Sequence, residues 1–245
     1  MLKLVLYAGI VFISFLATLV RSTFGFGESL VAVPLFSLLM PVSVAVPLSV
    51  LISVLVALVV VIQDHRQIQF QSAKWLILSA LPGIPLGVSV LFYGNELWVK
   101  TGLGALIMIY ALYALSGLRS IHLVKDHKGW LLFCGFLSGI LGGVYGINGP
   151  PLEIYGNMRR WAAKEFRATL QGYFLPVSLI GLLGYLWKGM LTPETGKYFL
   201  ATLPAALPAI FLGRYLNHRL KDGAFFKYVY AGLFLIGLLL IVLSV

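Results

Sequence analysis

Polar chemistry in this chain is concentrated beside two glycine-rich interruptions of otherwise apolar sequence. The first runs from Arg21 to Pro34 and contains Phe24-Gly25-Phe26-Gly27-Glu28; the second runs from Gly142 to Glu153 and contains Tyr145-Gly146-Ile147-Asn148-Gly149-Pro150-Pro151-Leu152-Glu153. In both, an aromatic-glycine pair leads into a short apolar segment and a bend. Glu28 stands in an apolar context, and an ionisable side chain at membrane depth is costly enough to imply a role such as carrying a coupling proton. The alternative is a structural pair with Arg21. Glu153 has the same two readings, with Arg159 and Arg160 as nearby partners. Asn148 offers an amide to a ligand. Gly25, Gly27, Gly146 and Gly149 let backbone N–H groups approach an anion at a helix start, where Pro150 suits the first turn. Close packing of helices through small residues is the competing use of these glycines. Tyr145 flanks the second interruption. Arg167, in Phe166-Arg167-Ala168-Thr169-Leu170-Gln171, is either the cationic partner of an acidic substrate, with Thr169 and Gln171 behind it, or an anchor at the membrane face.

Composition says what must hold these residues. With 60% hydrophobic and 11% charged residues and a mean hydropathy of +0.97, the chain is far from the near-quarter charged content of soluble domains. It reads as an all-α polytopic membrane protein. Apolar runs at about 2–22, 43–62, 73–93, 98–118, 130–147, 168–187, 197–216 and 224–244 are long enough to span a bilayer as helices. Two shorter runs, 28–40 and 150–158, each follow an interruption and predict broken or re-entrant helices. Neither interruption can face lipid, where freed backbone groups find no water. Met1 to Val20 reads as a retained span rather than a cleaved leader. The net charge of +10 comes from Lys and Arg scattered between apolar runs, which predicts a lipid bilayer as partner and no nucleic acid. The single cysteine, Cys134, excludes a disulfide within the chain and a cysteine metal site.

The two halves, 1–122 and 123–245, carry the marks of a duplication. Ala80-Leu81-Pro82-Gly83-Ile84-Pro85-Leu86-Gly87 returns as Ala206-Leu207-Pro208-Ala209-Ile210-Phe211-Leu212-Gly213, and Trp98-Val99-Lys100 as Phe225-Phe226-Lys227. Such symmetry is expected of a secondary transporter. If both short segments cross, Arg21, Arg66, Lys74, Arg119, Lys125, Lys128, Arg159, Arg160, Lys164, Arg167, Arg214, Arg219, Lys221 and Lys227 fall on one face, and Lys3, Lys100, Lys188 and Lys197 on the other. The positive-inside rule favours that arrangement, with inverted repeats and both termini outside.

The element Gly142-Gly143, Gly149-Pro150-Pro151-Leu152 and Tyr155, followed by Phe166-Arg167-Ala168-Thr169-Leu170, resembles the TauE/SafE-type sulfite exporter family, which includes toluene sulfonate uptake permeases. The first half departs from that pattern at Gly27-Glu28-Ser29, where the family commonly has a run of glycines. The resemblance implies a secondary transporter of a small anion, such as sulfite, a sulfonate or a related organosulfur compound, in a bacterial inner membrane. A coupling proton and a homodimer are left open by it, and no cofactor or metal is implied. Enzymatic readings find no residues: the four histidines fall in loops or at span ends, and there is no H-E-x-x-H, G-x-S-x-G or G-K-[ST]. A passive anion channel and an assembly subunit of a larger complex remain as alternatives.

Overall fold

The computed structural model describes residues 2–116, 123, 127–219 and 224–244, and among these the regular structure is helical throughout. In chain order the helices are α1 (Leu2–Phe24), α2 (Glu28–Ser37), α3 (Val42–Asp64), α4 (Phe70–Ala80), α5 (Gly83–Tyr93), α6 (Glu96–Ser116), α7 (Lys128–Tyr145), α8 (Gly149–Met158), α9 (Ala163–Trp187), α10 (Pro193–Arg219) and α11 (Ala224–Ser244). Among the described residues six helices are long and apolar enough to cross a membrane, and α4 with α5 makes a seventh candidate bent by 44°. The described apolar part of α11, Tyr230–Val242, is shorter. The chain is therefore an integral membrane protein. The two short segments expected after the interruptions are α2 and α8, about 15 Å long each at 1.5 Å per residue.

The run at 73–93, expected as one span, is divided at Leu81-Pro82. Pro82 supplies no N–H and its ring crowds the preceding turn, Gly83 follows it, and Pro85 comes two residues later. The matching motif in α10 has Pro208 but Ala209, and there the helix continues through both Pro204 and Pro208. Alanine in place of glycine favours helix by about 1 kcal/mol, which is in the direction needed to keep α10 whole.

The main lateral contacts join helices from different halves of the chain: α1 lies along α10, α7 against α4 and α5, α3 against α9, and α6 against α11. Small residues permit the closest of these. A Cβ added at Gly83 would lie 2.5 Å from the Phe136 carbonyl oxygen, and one at Gly143 would lie 2.8 Å from the Val88 nitrogen. This is the small-residue seam by which membrane helices gain dispersion contacts where no hydrophobic drive exists between them.

Two ends of the bundle are identifiable. At one, the C-termini of α3 and α10 meet the N-terminus of α9, where Asp64 lies 3.9 Å from Arg167 Nη1 and 3.5 Å from Arg214 Nη2. At the other, Lys188 just after α9 donates to the Tyr93 hydroxyl at the end of α5 (2.9 Å) and lies over the Phe92, Tyr93 and Trp187 rings.

Candidate functional site

The breaks meet each other inside the bundle. Gly25 and Gly27 have φ of 87° and 95°, and Gly146 has φ of 66°, conformations that glycine reaches without the Cβ penalty. Gly149 packs against the Phe26 ring, so a Cβ there would come within 3.2 Å of it, and a Cβ at Gly146 would lie 2.8 Å from Val50 of α3. Between the breaks is a narrow cleft lined by Arg21, Phe26, Gly27, Glu28, Ser29, Leu30, Ser53, Gly146, Ile147, Asn148, Gly149 and Phe174. The helices α2 and α8 both begin on it, so two positive dipole ends point at the same space.

The first break is wired by charge. Arg21 Nη1 donates to Glu28 Oε2 at 2.9 Å and also to the Ser53 hydroxyl. Its Nε and Nη2 donate to Gln171 Oε1 at 3.2 and 2.8 Å, and the guanidinium stacks 4.8 Å from the Phe174 ring centre. Ser49 donates to the other Glu28 oxygen at 2.9 Å. Arg21 is 3% exposed and Glu28 1% exposed, so the pair is fully withdrawn from solvent. The Arg21 pairing weighed for Glu28 is present. Gln171 also donates from Nε2 to the Gly25 carbonyl at 2.6 Å, which satisfies a backbone acceptor freed by the break.

Where it lines the cleft, the second break contributes no charged side chain. Ser138 donates to the Asn148 main-chain carbonyl at 2.7 Å, Tyr173 donates to Ser138 at 3.0 Å, and the Tyr185 hydroxyl reaches the Gly142 and Gly143 carbonyls at 3.1 and 2.8 Å. The Asn148 side-chain Oδ1 is buried and has no hydrogen-bond partner among the described residues. Asn148 lies on Gly142, where any side chain would overlap its amide. It also lines a second, small pocket with Val50, Ile84, Gly142, Val177, Ser178 and Gly181, so this amide stands between two spaces.

Of the residues singled out from sequence, Gly27, Glu28, Gly146, Asn148 and Gly149 line the cleft, and Gly25 and Gln171 support it from behind. Five are elsewhere. Tyr145 is buried, with its hydroxyl beside Gly102. Pro150 is buried in the first turn of α8. Glu153 accepts from the Tyr110 hydroxyl and from Asn157 Nδ2 (3.3 Å), away from the cleft. Thr169 accepts from the Gln69 backbone N–H at 2.9 Å and ties α4 to α9. Arg167 faces Asp64 and Arg214. Arg21 was weighed in sequence only as a partner for Glu28, while Ser53 and Phe174 were not singled out; serines at 49 and 53, one helical turn apart in an otherwise apolar helix, were the available signal.

A membrane-embedded helical bundle whose broken helices converge on a buried polar cleft has the architecture of a membrane transport protein. A model of the family "Sulfite exporter TauE/SafE" matches residues 10–240. The chain belongs to the TauE/SafE sulfite exporter family, whose members are transporters and not enzymes. Among curated proteins, a "Probable sulfite/organosulfonate exporter TauE" of Cupriavidus necator is 26% identical over 153 residues, which cover 61% of this chain and 59% of that protein. No solved structure matches.

Proposed function

We propose that the chain is a secondary transporter of a small sulfur oxoanion, sulfite or an organosulfonate, which binds in the cleft between the two breaks. The observation that carries this reading is the Arg21–Glu28 pair: a buried guanidinium at the cleft is already occupied by an anion, and that anion belongs to the protein. A substrate oxoanion competes with Glu28 for Arg21. Protonation of Glu28 removes the competing charge, and the Arg21 fork is then free to hold substrate oxygens in a bidentate fashion. Anion and proton binding are in this way linked, which supplies coupling without nucleotide hydrolysis. The N-termini of α2 and α8 and the Asn148 amide complete the polar lining.

The same reading takes 1–122 and 123–245 as inverted pseudo-repeats, interlocked through the cross-half pairing of α1 with α10 and of α7 with α4 and α5. The end bearing Arg66, Lys164 and Arg214 faces the cytoplasm, and the membrane is a bacterial inner membrane. Arg21 and Arg167 are buried and so leave the count of face charges, but the division of the rest stays strongly lopsided. The chain's family and the name of the Cupriavidus necator relative, a probable sulfite/organosulfonate exporter, support sulfite and organosulfonates as the first compounds to try.

Purified protein in proteoliposomes, offered sulfite, 4-toluenesulfonate, thiosulfate, acetate, a sugar and an amine with and without a pH gradient, tests the proposal. Uptake of a sulfur oxoanion that responds to the gradient is the expected result. Equal competition by the sugar or the amine contradicts anion recognition, and flux indifferent to the gradient makes the protein a channel.

A further inference from the structure

Arg167 behaves unlike a membrane-face anchor. Anchoring arginines expose their guanidinium to headgroups and water, whereas Arg167 is 4% exposed. Its Nη1 has only a long contact, 3.9 Å, to Asp64 Oδ2, and its Nε and Nη2 are buried with no hydrogen-bond partner among the described residues. A buried guanidinium with unused donors is expensive unless something accepts from them. Arg214 reaches the other oxygen of the same carboxylate at 3.5 Å and is itself partly exposed. Two guanidinium groups thus share one aspartate, which leaves a net positive charge beside a planar donor edge that fits two oxygens of one oxoanion.

Position relates this cluster to the cleft without merging the two. Arg167 does not line the cleft, yet a Cβ at Gly25 would lie 3.1 Å from the Arg167 Cα, so the cluster adjoins the first break directly. Arg167 is one helical turn, about 6 Å along α9, from the Gln171 that holds Arg21. Asp64 stands eleven residues beyond Ser53 on α3, about 16 Å nearer the end of the bundle.

We infer that Arg167, Arg214 and Asp64 form a loading station for an oxoanion at the positively charged end of the bundle, in which Asp64 is the built-in competitor that the arriving anion displaces from Arg167. The station rests on the reading of the chain as an anion transporter, and it repeats one step earlier the competition between Glu28 and substrate for Arg21. The arriving anion takes the Nε and Nη2 edge of Arg167 while Asp64 remains on Arg214, and departure toward Gln171 and Arg21 restores the Asp64 contact. No bond is made or broken.

The test uses the full chain in membranes with Cys134→Ser and Asp64→Cys, and compares thiol modification by an anionic methanethiosulfonate reagent carrying a sulfonate with modification by a cationic one carrying an ammonium. The anionic reagent is expected to react about tenfold faster relative to its rate on a free thiol, because an electropositive site concentrates it. Adding Arg167→Gln or, separately, Arg214→Gln should collapse that ratio, and 4-toluenesulfonate should protect the thiol only while Arg167 is present. A ratio near that of free thiol, or protection that survives Arg167→Gln, overturns the inference. In Asp64→Asn, sulfite presented to the positive end should show a lowered KM, with the KM from the opposite face unchanged; equal change at both faces also overturns it. A protein that moves no sulfur oxoanion but keeps the reactivity ratio and its protection contradicts the proposed function and leaves the station standing.

Discussion

The two breaks share a backbone plan and differ in how they handle polarity. At the first, a full charge pair is buried and engaged on both sides: Arg21 reaches Glu28, Ser53, Gln171 and Phe174, and Glu28 also receives Ser49. At the second, no charged side chain among the described residues lines the cleft, and the hydroxyls of Ser138 and Tyr185 satisfy main-chain carbonyls while Asn148 Oδ1 has no partner among those residues. The helix starts differ as well. Glu28, Ser29 and Leu30 each bring an N–H to the first turn of α2, whereas Pro150 and Pro151 remove two such donors from α8. In the proposed function the first break is a self-occupied anion site whose state switches with a proton, and the second is a wall of fixed charge that presents the Asn148 amide. A transporter with both has one element that changes charge and one that does not.

The largest effect should come from breaking the first break's balance. Arg21→Gln leaves the buried Glu28 carboxylate without its cationic partner and is expected to cost about 3–5 kcal/mol, read as loss of folded protein in thermal unfolding in detergent. The double variant Arg21→Met with Glu28→Met should regain most of that loss. If the double variant is no better than the single one, the pair is not the source of the cost. Next in size are the glycines. Gly146→Ala meets both a left-handed φ and the Val50 methyl at 2.8 Å, while Gly27→Ala meets a left-handed φ with only Val20 at 3.4 Å. Gly146→Ala should therefore be the more destabilising by about 1 kcal/mol.

A smaller effect on stability, but a clear one on function, is expected at the second break. Asn148→Ala removes an unsatisfied buried acceptor and keeps the Ser138 bond to the main chain, so stability should move by less than about 1 kcal/mol. The KM for the transported anion should rise about tenfold, the size of one lost hydrogen bond to a charged group. Loss of stability with unchanged KM would place Asn148 among packing residues. Smallest of all, Gly196→Ala, in the first turn of α10 with open space around it, should be neutral or slightly stabilising, within about 1 kcal/mol.

Much of this arrangement is legible in sequence, and the parts that are not have physical reasons. Length and hydropathy located the apolar runs, including those of α2 and α8, because a glycine-rich bend between apolar runs has few other solutions in a bilayer; of the eight long spans expected, six helices among the described residues, or seven with the bent α4–α5 pair, are long and apolar enough to cross. The Arg21–Glu28 pairing followed from the isolation of two opposite charges. The split between α4 and α5 did not follow, because the same Ala-Leu-Pro string continues as helix in α10; the two copies part after the proline, with Gly83 and Pro85 in one and Ala209 and Phe211 in the other. Grouping Arg167, Thr169 and Gln171 behind one substrate failed on helical geometry: at 100° per residue, 167 and 171 share a face and 169 lies on the far side. Glu153 was carried into the site by nearness to Gly149, but it sits a full turn up α8, where Tyr110 is the closer neighbour. Ser53 and Phe174 reach the cleft from helices remote in sequence, which no local pattern announces.

If Glu28 is the proton-responsive competitor for Arg21, net transport and exchange should respond differently to Glu28→Gln. Glutamine keeps the shape and can still accept from Arg21 and Ser49, but it carries no charge and takes up no proton. Proteoliposomes containing this variant, loaded and assayed with labelled sulfite, should lose uptake driven by a pH gradient while retaining sulfite–sulfite exchange close to that of the unaltered protein. Gradient-driven uptake that survives the substitution, or an equal loss of uptake and exchange in protein that remains folded, would contradict the account.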